Sequence, residues 1–202
     1  MRIAPVTALK ALIWVLCLLP LARLAWFAQS GGLGANPIEF VIRSLGSWTL
    51  TFLLATLSIT PLRRLTGWNA LVRVRRLLGL FAFFYAVLHF FAYVGLDQFF
   101  DLWAIIADIA KRPYVTIGFA ALMLLLPLAA TSTAAMQRRL GGRRWQRLHR
   151  LVYVIGVAGV VHYWWLVKKD ITQPALYALI LLVLLAARWW WRARRQSPAG
   201  VI

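Results

Sequence analysis

Six apolar runs, each about 20 residues long, divide this chain of 202 residues. Their approximate bounds are 8–28, 38–60, 77–96, 114–135, 148–167 and 174–191. An α-helix needs about 20 apolar residues to cross the roughly 30 Å hydrocarbon core of a bilayer. With 62% hydrophobic and only 14% charged residues, the composition is not that of a soluble domain. The chain is therefore predicted to be an all-α bundle of six transmembrane helices that forms a single domain over residues 1–202.

The net charge of +18 comes from short basic blocks between the apolar runs, and not from one soluble face. This pattern indicates that the basic residues set the orientation of the chain in the membrane and contact anionic lipid, and it argues against nucleic-acid binding. Seventeen of the 23 basic residues fall on one side of the predicted bundle: Arg2, Lys10, Arg63, Arg64, Arg73, Arg75, Arg76, Arg138, Arg139, Arg143, Arg144, Arg147, Arg150, Arg188, Arg192, Arg194 and Arg195. The five acidic residues fall on the other side: Glu39, Asp97, Asp101, Asp108 and Asp170. Both termini are therefore predicted to be cytoplasmic.

Residues 97–112, with the sequence DQFFDLWAIIADIAKR, connect the third and fourth runs on the acidic side. Their apolar residues recur at close to helical spacing. We expect a short helix in the outer interface of the membrane, where it either caps the bundle or forms part of a docking surface.

Three histidines, His89, His149 and His162, lie in or at the edge of the apolar runs. A polar ring at such a position is costly and usually functional. Proton relays in membranes generally combine histidines with acidic residues, and no acidic residue lies inside these runs. The pattern therefore favours a ligand that imidazole binds well, such as haem iron.

The spacing of two histidines predicts that they lie at one depth. His89 follows Arg76 by 13 residues and His162 follows Arg150 by 12, on runs that cross the membrane in the same direction. At 1.5 Å per residue, both rings lie roughly 18–20 Å from the cytoplasmic boundary. Two imidazoles at that depth on different helices can bind one haem iron from both sides. The alternative for each ring alone is a hydrogen bond to a nearby carbonyl or hydroxyl.

His149 lies at the inner boundary, about 20 Å from His162 along the same predicted helix. That separation suits a second haem, but 13 residues turn a helix by about 220° beyond three whole turns, so the two rings face different ways. At the same depth on the third run lie Arg75 and Arg76, which are not ordinary haem ligands. His149 therefore either contributes to a second cofactor site or belongs to a cationic collar at the interface.

Two arginines near the outer ends of the first two runs, Arg23 and Arg43, are not needed for topology. Each either extends its side chain to the interface or binds a haem propionate, because arginine binds carboxylates in a forked geometry. Arg23 is assigned to the interface in preference. The tryptophan pair at residues 164–165 and the triplet at residues 189–191 are explained by interfacial anchoring.

Two segments carry a family resemblance: KRPYVTIG at residues 111–118 and WQRLHRLVY at residues 145–153. Both resemble the MsrQ (YedZ) family, within the ferric reductase and NADPH oxidase transmembrane superfamily. The resemblance implies haem b, FMN and location in a bacterial inner membrane. It also implies electron transfer to MsrP, a periplasmic molybdopterin enzyme that reduces oxidised methionine. The donor is then the quinone pool or a cytosolic flavin reductase.

The resemblance also bears on the histidines, because His89, His149 and His162 match the three of the family. The oxidase relatives carry four in two pairs, so one haem is implied and a second stays open. No residue is assigned to FMN.

No motif for a nicotinamide site, a Walker loop or a Cys-x-x-Cys pair occurs in the chain. A haem protein of this kind is most simply a non-catalytic electron-transfer subunit. Two alternatives remain: a proton-coupled transporter with a histidine relay, and a membrane anchor that docks a periplasmic enzyme without a redox role. The visible spectrum of the purified protein distinguishes the electron-transfer subunit from these two alternatives.

Overall fold

The computed structural model describes the backbone of residues 4–196 and the side chains of residues 7–194. Arg2, the side chain of Arg195 and both chain ends lie outside the described residues. The described part contains nine α-helices and one π-helical turn, and no strand is found in it. The helices are α1 (Ala4–Ser30), α2 (Pro37–Thr66), α3 (Leu71–Ala92), α4 (Leu102–Lys111), α5 (Pro113–Ala130), α6 (Ala134–Leu140), α7 (Gly142–His149), α8 (Leu151–Leu166) and α9 (Thr172–Gln196); the π-helical turn covers Tyr93–Asp97 and extends α3.

The predicted all-α membrane bundle is confirmed in its coarse form. Within the described residues, five helices are long and apolar enough to cross a membrane: Thr7–Ser30, Pro37–Thr66, Leu71–Asp97, Pro113–Ala130 and Thr172–Arg194. The predicted span 148–167 differs, because a turn at Arg150 separates α7 from α8. The 16 residues of α8 are shorter than the length that a perpendicular crossing requires. The sixth crossing and the location of the termini stay predictions.

The fourth predicted span, 114–135, ends earlier than expected. Helix α5 stops at Ala130, and the hydroxyls of Thr131 and Ser132 bond back to the carbonyls of Pro127 and Leu128. Such side-chain bonds compete with the continuing helix. The chain then starts α6, whose first turn is capped by the side chain of Thr133.

Helix α2 lies at the centre of the bundle and contacts α1, α3, α8 and α9. It begins after an Asn36 cap, whose side chain accepts a hydrogen bond from the Glu39 amide, and ends at Gly67 in the left-handed conformation. Leu57 and Ile155 are almost completely buried, as is Tyr85, whose hydroxyl donates to the Cys17 carbonyl at 2.7 Å. In this arrangement α3 and α8 approach each other through their neighbours α2 and α5, which positions the site described below.

The short helix predicted within residues 97–112 is confirmed as α4, which starts five residues later than the predicted segment, and its location in the outer interface stays a prediction. After the π-helical turn the chain reverses through Phe99 and Phe100, both at positive φ. Asp101 then caps α4 by accepting hydrogen bonds from the amides of Trp103 and Ala104. Trp103 is 82% exposed, so one face of α4 lies outside the protein core.

Candidate functional site

The structure brings His89 of α3 and His162 of α8 together. Their ring centroids lie 6.2 Å apart, and the ring planes make an angle of 79°. Both rings line one cavity of about 490 Å³ between α2, α3, α5 and α8. The equal depth that was predicted from their distance to the basic blocks therefore corresponds to a direct approach of the two rings.

Each of the two rings is held through one nitrogen by a backbone carbonyl. His89 Nδ1 lies 2.9 Å from the Ile42 oxygen, and His162 Nδ1 lies 2.6 Å from the Tyr114 oxygen. A carbonyl oxygen only accepts, so Nδ1 donates in both rings, and a neutral imidazole then carries its lone pair on Nε2. Neither Nε2 atom has a hydrogen-bond partner among the described residues. This is the tautomer and support that metal-binding histidines use.

A glycine lies four residues after each of these carbonyls. Gly46 follows Ile42 on α2, and Gly118 follows Tyr114 on α5. A β-carbon at Gly46 would lie 3.0 Å from His89 Cε1, and one at Gly118 would lie 2.7 Å from His162 Nδ1. Residues four apart lie on the same face of a helix, so a side chain at either glycine would occupy the space of the imidazole. Neither glycine stands out in the sequence, although Gly118 closes the KRPYVTIG segment.

The distance between the two rings matches a shared metal. Two metal–nitrogen bonds of about 2.0 Å, extended by the radius of each imidazole, separate ring centroids by about 6 Å. No group of three or more His, Cys, Asp or Glu side chains in the described part of the chain is arranged to bind a metal. A metal at this site would therefore take two protein ligands and the rest of its coordination from a cofactor.

The cavity walls are apolar at depth and charged at the rim. Leucine and isoleucine side chains form its deep part: Leu50, Leu53, Leu122, Leu125 and Ile155. The rim is polar and includes Asn36, Glu39, Arg43, Asp97 and Arg112. A flat apolar group with anionic substituents fits such a cleft, because its body replaces water at the walls and its charges reach the basic rim.

Two rim arginines are held by acidic neighbours. Arg43 pairs with Glu39 at 2.6 Å, and Arg112 pairs with Asp108 at 3.3 Å. Arg112 also donates to the Tyr114 hydroxyl at 3.4 Å, and this bond is the main cause that raises the pKa of its guanidinium. Both arginines therefore present a permanent positive charge at the mouth of the cavity.

Arg23 does not line this cavity. Its guanidinium lies over the Phe27 ring, 4.9 Å from the centroid. This position agrees with the assignment of Arg23 to the interface. Arg43 differs, because it lines the cavity and was left open between the interface and a haem propionate.

The third histidine lies apart from the other two. His149 ends α7, stacks on Trp145 with ring centroids 3.9 Å apart, and places Nε2 3.1 Å from the Thr131 hydroxyl. That hydroxyl donates to the Pro127 carbonyl at 2.5 Å, so His149 Nε2 is the donor to Thr131. His149 is not among the residues that line the cavity. His149 and His162 were expected on one helix, but the turn at Arg150 places them on two helices, α7 and α8.

Comparisons with known proteins agree with this geometry. Residues 40–160 match the family described as ferric reductase like transmembrane component. The chain is 56% identical over 173 residues to the protein-methionine-sulfoxide reductase heme-binding subunit MsrQ of Herminiimonas arsenicoxydans, covering 85% of this chain and 79% of the relative. It is 53% identical over 184 residues to the MsrQ subunit of Bordetella pertussis, covering 88% and 89%. The MsrQ subunit of Rhodospirillum rubrum is 57% identical over 166 residues, covering 82% and 80%.

Proposed function

Because this chain belongs to the ferric reductase-like transmembrane family and, within it, to the MsrQ (YedZ) proteins, we propose that it is the haem-binding electron-transfer subunit of a methionine sulfoxide reductase system. The observation that carries this proposal is the close approach of His89 and His162 in one cavity, where neither Nε2 has a hydrogen-bond partner among the described residues. The subunit itself is non-catalytic: it passes electrons to a partner that carries the chemistry.

The cofactor that fits the cavity is haem b. His89 and His162 would bind its iron, and a bis-imidazole haem supplies reversible one-electron transfer. The chain has a single cysteine, so the Cys-x-x-Cys-His attachment of a c-type haem is excluded. Arg43 and Arg112 at the rim would bind the propionates.

The residues of the chain keep this site rigid and dry. The carbonyls of Ile42 and Tyr114 fix the orientation of both rings and make them stronger donors through Nε2. Gly46 and Gly118 allow the rings to approach the helices that hold them. The leucine-rich wall excludes water, so charge at the site is stabilised by fixed groups and not by moving solvent.

We further propose the setting implied by the family. The protein crosses the bacterial inner membrane six times with both termini in the cytoplasm, and delivers electrons to a periplasmic molybdopterin reductase, MsrP. The quinone pool or a cytosolic flavin reductase supplies them. The loops support this orientation, because basic loops are expected in the cytoplasm. The mouth of the cavity lies on the other side, which carries the acidic residues.

His149 belongs to the inner part of this proposal. It lies on the side where electrons would arrive, so it acts in electron input, through a second haem or through ordering FMN. Its Nε2 is already engaged with Thr131, so a metal there would use Nδ1 or displace that bond. FMN itself rests on the family resemblance, and no residue of this chain is assigned to it.

Two other functions compete with this one. In a proton-coupled transporter, the histidines would relay protons, yet the ring nitrogens of His89 and His162 that do not face the cavity are bonded to carbonyls, which pass no proton onward. In a membrane anchor, the pair would be structural, which leaves the free Nε2 atoms and the cavity between them without a purpose.

The visible and electron paramagnetic resonance spectra of the purified protein test the proposal. The wild type is expected to show a low-spin haem with sharp Soret and alpha bands after dithionite reduction. His89→Ala and His162→Ala should each remove the low-spin signal, because six-coordinate iron needs both rings. His149→Ala is the matched control and should retain it. A colourless wild-type preparation from haem-replete cells would favour the transporter or the anchor.

A further inference from the structure

Arg188 of α9 donates a hydrogen bond to a backbone carbonyl of α2 that has no donor within its own helix. Pro61 has no amide hydrogen, so the Leu57 carbonyl, four residues earlier, has no partner within the helix. Arg188 donates through Nη2 to this carbonyl and through Nη1 to the Tyr153 hydroxyl. Membrane helices generally satisfy such carbonyls with a donor from a neighbouring helix. The geometry therefore explains why an arginine lies here, but not what balances its charge.

Among the described residues, no acidic side chain balances that charge. Both acceptors of Arg188 are neutral, and its buried Nε has no hydrogen-bond partner among the described residues. Arg75 lies near enough to Arg188 and Tyr153 to interact with both electrostatically. The ion pairs in the described part of the chain, Glu39–Arg43 and Asp108–Arg112, lie at the opposite end of the bundle. Like charges at a partly buried site without a counter-ion favour the binding of an anion.

A groove beside Arg188 offers a place for that anion. It has a volume of about 460 Å³ and is lined by Tyr153, Leu185, Arg188, Trp189, Arg192 and Ala193. Two of these side chains are cationic and the others are apolar or aromatic. Along α9 toward the bilayer centre, Leu182 and Leu179 are more than half exposed, which continues the apolar surface away from the arginines.

We propose that this groove between α8 and α9 binds an anionic phospholipid, with its phosphate near Arg192 and Arg188 and an acyl chain along α9. A free phosphate would use only the cationic part of the groove, whereas a phospholipid also covers its apolar part. Basic pockets between transmembrane helices on the cytoplasmic side are suited to anionic headgroups. The ligand supplies the negative charge that the described residues at this end do not provide.

Lipid binding to the full-length protein tests the proposal. The detergent-purified protein is stripped of lipid and titrated with phosphatidylglycerol, and the lipid-bound species are resolved by native mass spectrometry. Phosphatidylcholine, inorganic phosphate and FMN serve as separate competitors. Arg192→Gln alters an exposed groove residue and leaves the Arg188 bonds in place. Arg194→Gln is the matched control, because Arg194 stacks on Trp190 at 3.9 Å and does not line the groove.

We expect one saturable binding site for phosphatidylglycerol. Its affinity should be about fivefold weaker in Arg192→Gln and unchanged in Arg194→Gln. Phosphatidylcholine that binds equally well would overturn the proposal, as would an equal loss in both variants, which would indicate only general charge. Displacement by inorganic phosphate at the lipid concentration would show a free-anion site. Displacement by FMN would assign the groove to a nucleotide and not to lipid.

Discussion

The imidazole of His162 lies where the side chain of residue 118 would otherwise be: a β-carbon on Gly118 would approach its Nδ1 to 2.7 Å. The same nitrogen donates to the carbonyl of Tyr114, one helical turn earlier on α5. His89 repeats this arrangement with Gly46 and Ile42 on α2. Two helices that carry no histidine therefore determine how both histidines point into the cavity.

Gly118→Ala is expected to reduce haem content and convert the remaining low-spin signal to high-spin, because His162 must move away from its carbonyl. Overpacking of this kind costs about 1–3 kcal/mol. Gly46→Ala should show a weaker form of the same effect, since its closest contact is 3.0 Å. Haem per protein and electron paramagnetic resonance measure both changes.

Gly79→Ala is the control for this series. Its β-carbon would lie 3.6 Å from Thr56 Cγ2, which is an ordinary contact, and Gly79 is on the same helix as His89. Equal haem loss in Gly79→Ala and Gly118→Ala would mean that any added methyl disturbs the bundle, and that the glycines have no specific role beside the histidines.

Replacing both rim arginines, in Arg43→Gln/Arg112→Gln, should weaken haem retention and make the haem midpoint potential more negative. A positive charge near the site favours the reduced form, so its removal favours the oxidised form. Spectroscopic redox titration measures the shift. Arg23→Gln is the matched control, because Arg23 stacks on Phe27 outside the cavity, and its potential should equal that of the wild type.

Arg188→Leu should destabilise the protein by about 1–3 kcal/mol, because it leaves the Leu57 carbonyl without a donor. When Pro61→Ala is also present, residue 61 regains an amide hydrogen for that carbonyl. The loss of stability caused by Arg188→Leu should then be smaller by about 1 kcal/mol. Thermal unfolding in detergent of the wild type, both single variants and the double variant gives the coupling. Additive losses would show that Arg188 does not compensate for Pro61.

His149→Ala is expected to slow reduction by the inner donor while the His89–His162 haem stays low-spin. The reason is position: His149 is the last residue of α7, among the basic residues of that loop, and does not line the cavity. Stopped-flow reduction of wild type and variant by the same donor measures the rate, and dithionite reduction serves as the control. An unchanged rate with the inner donor would leave His149 as a member of the cationic collar.

A reporter fused after Ile202 tests the predicted orientation. Green fluorescent protein at this position should fluoresce and alkaline phosphatase should be inactive, since 17 of the 23 basic residues place that end in the cytoplasm. The opposite pair of results would mean that the protein has the reverse orientation in the membrane, with the mouth of the haem cavity on the cytoplasmic side.

Hydropathy, charge distribution and histidine spacing were enough to predict the all-α membrane class, the separation of acidic from basic loops and the shared depth of His89 and His162. These properties depend on composition and on helical rise, which are local and additive along the chain. The expectation that His149 and His162 lie on one helix was wrong, because the chain turns at Arg150. The sequence did not indicate the break at Arg150, where no side-chain cap is present, or the end of α5, which depends on side-chain bonds from Thr131 and Ser132 to the backbone.

Only the tertiary structure decided which carbonyl holds each ring, which glycines make room for it, and why Arg188 is partly buried. Each of these relationships joins residues at least 35 positions apart, and Gly118 and His162, for example, are 44 positions apart. A glycine or an arginine in an apolar run has many possible roles when only the sequence is known. Packing of α2 against α3 and α9, and of α5 against α8, selects one role for each, because the close approach of two helices leaves space for a single arrangement.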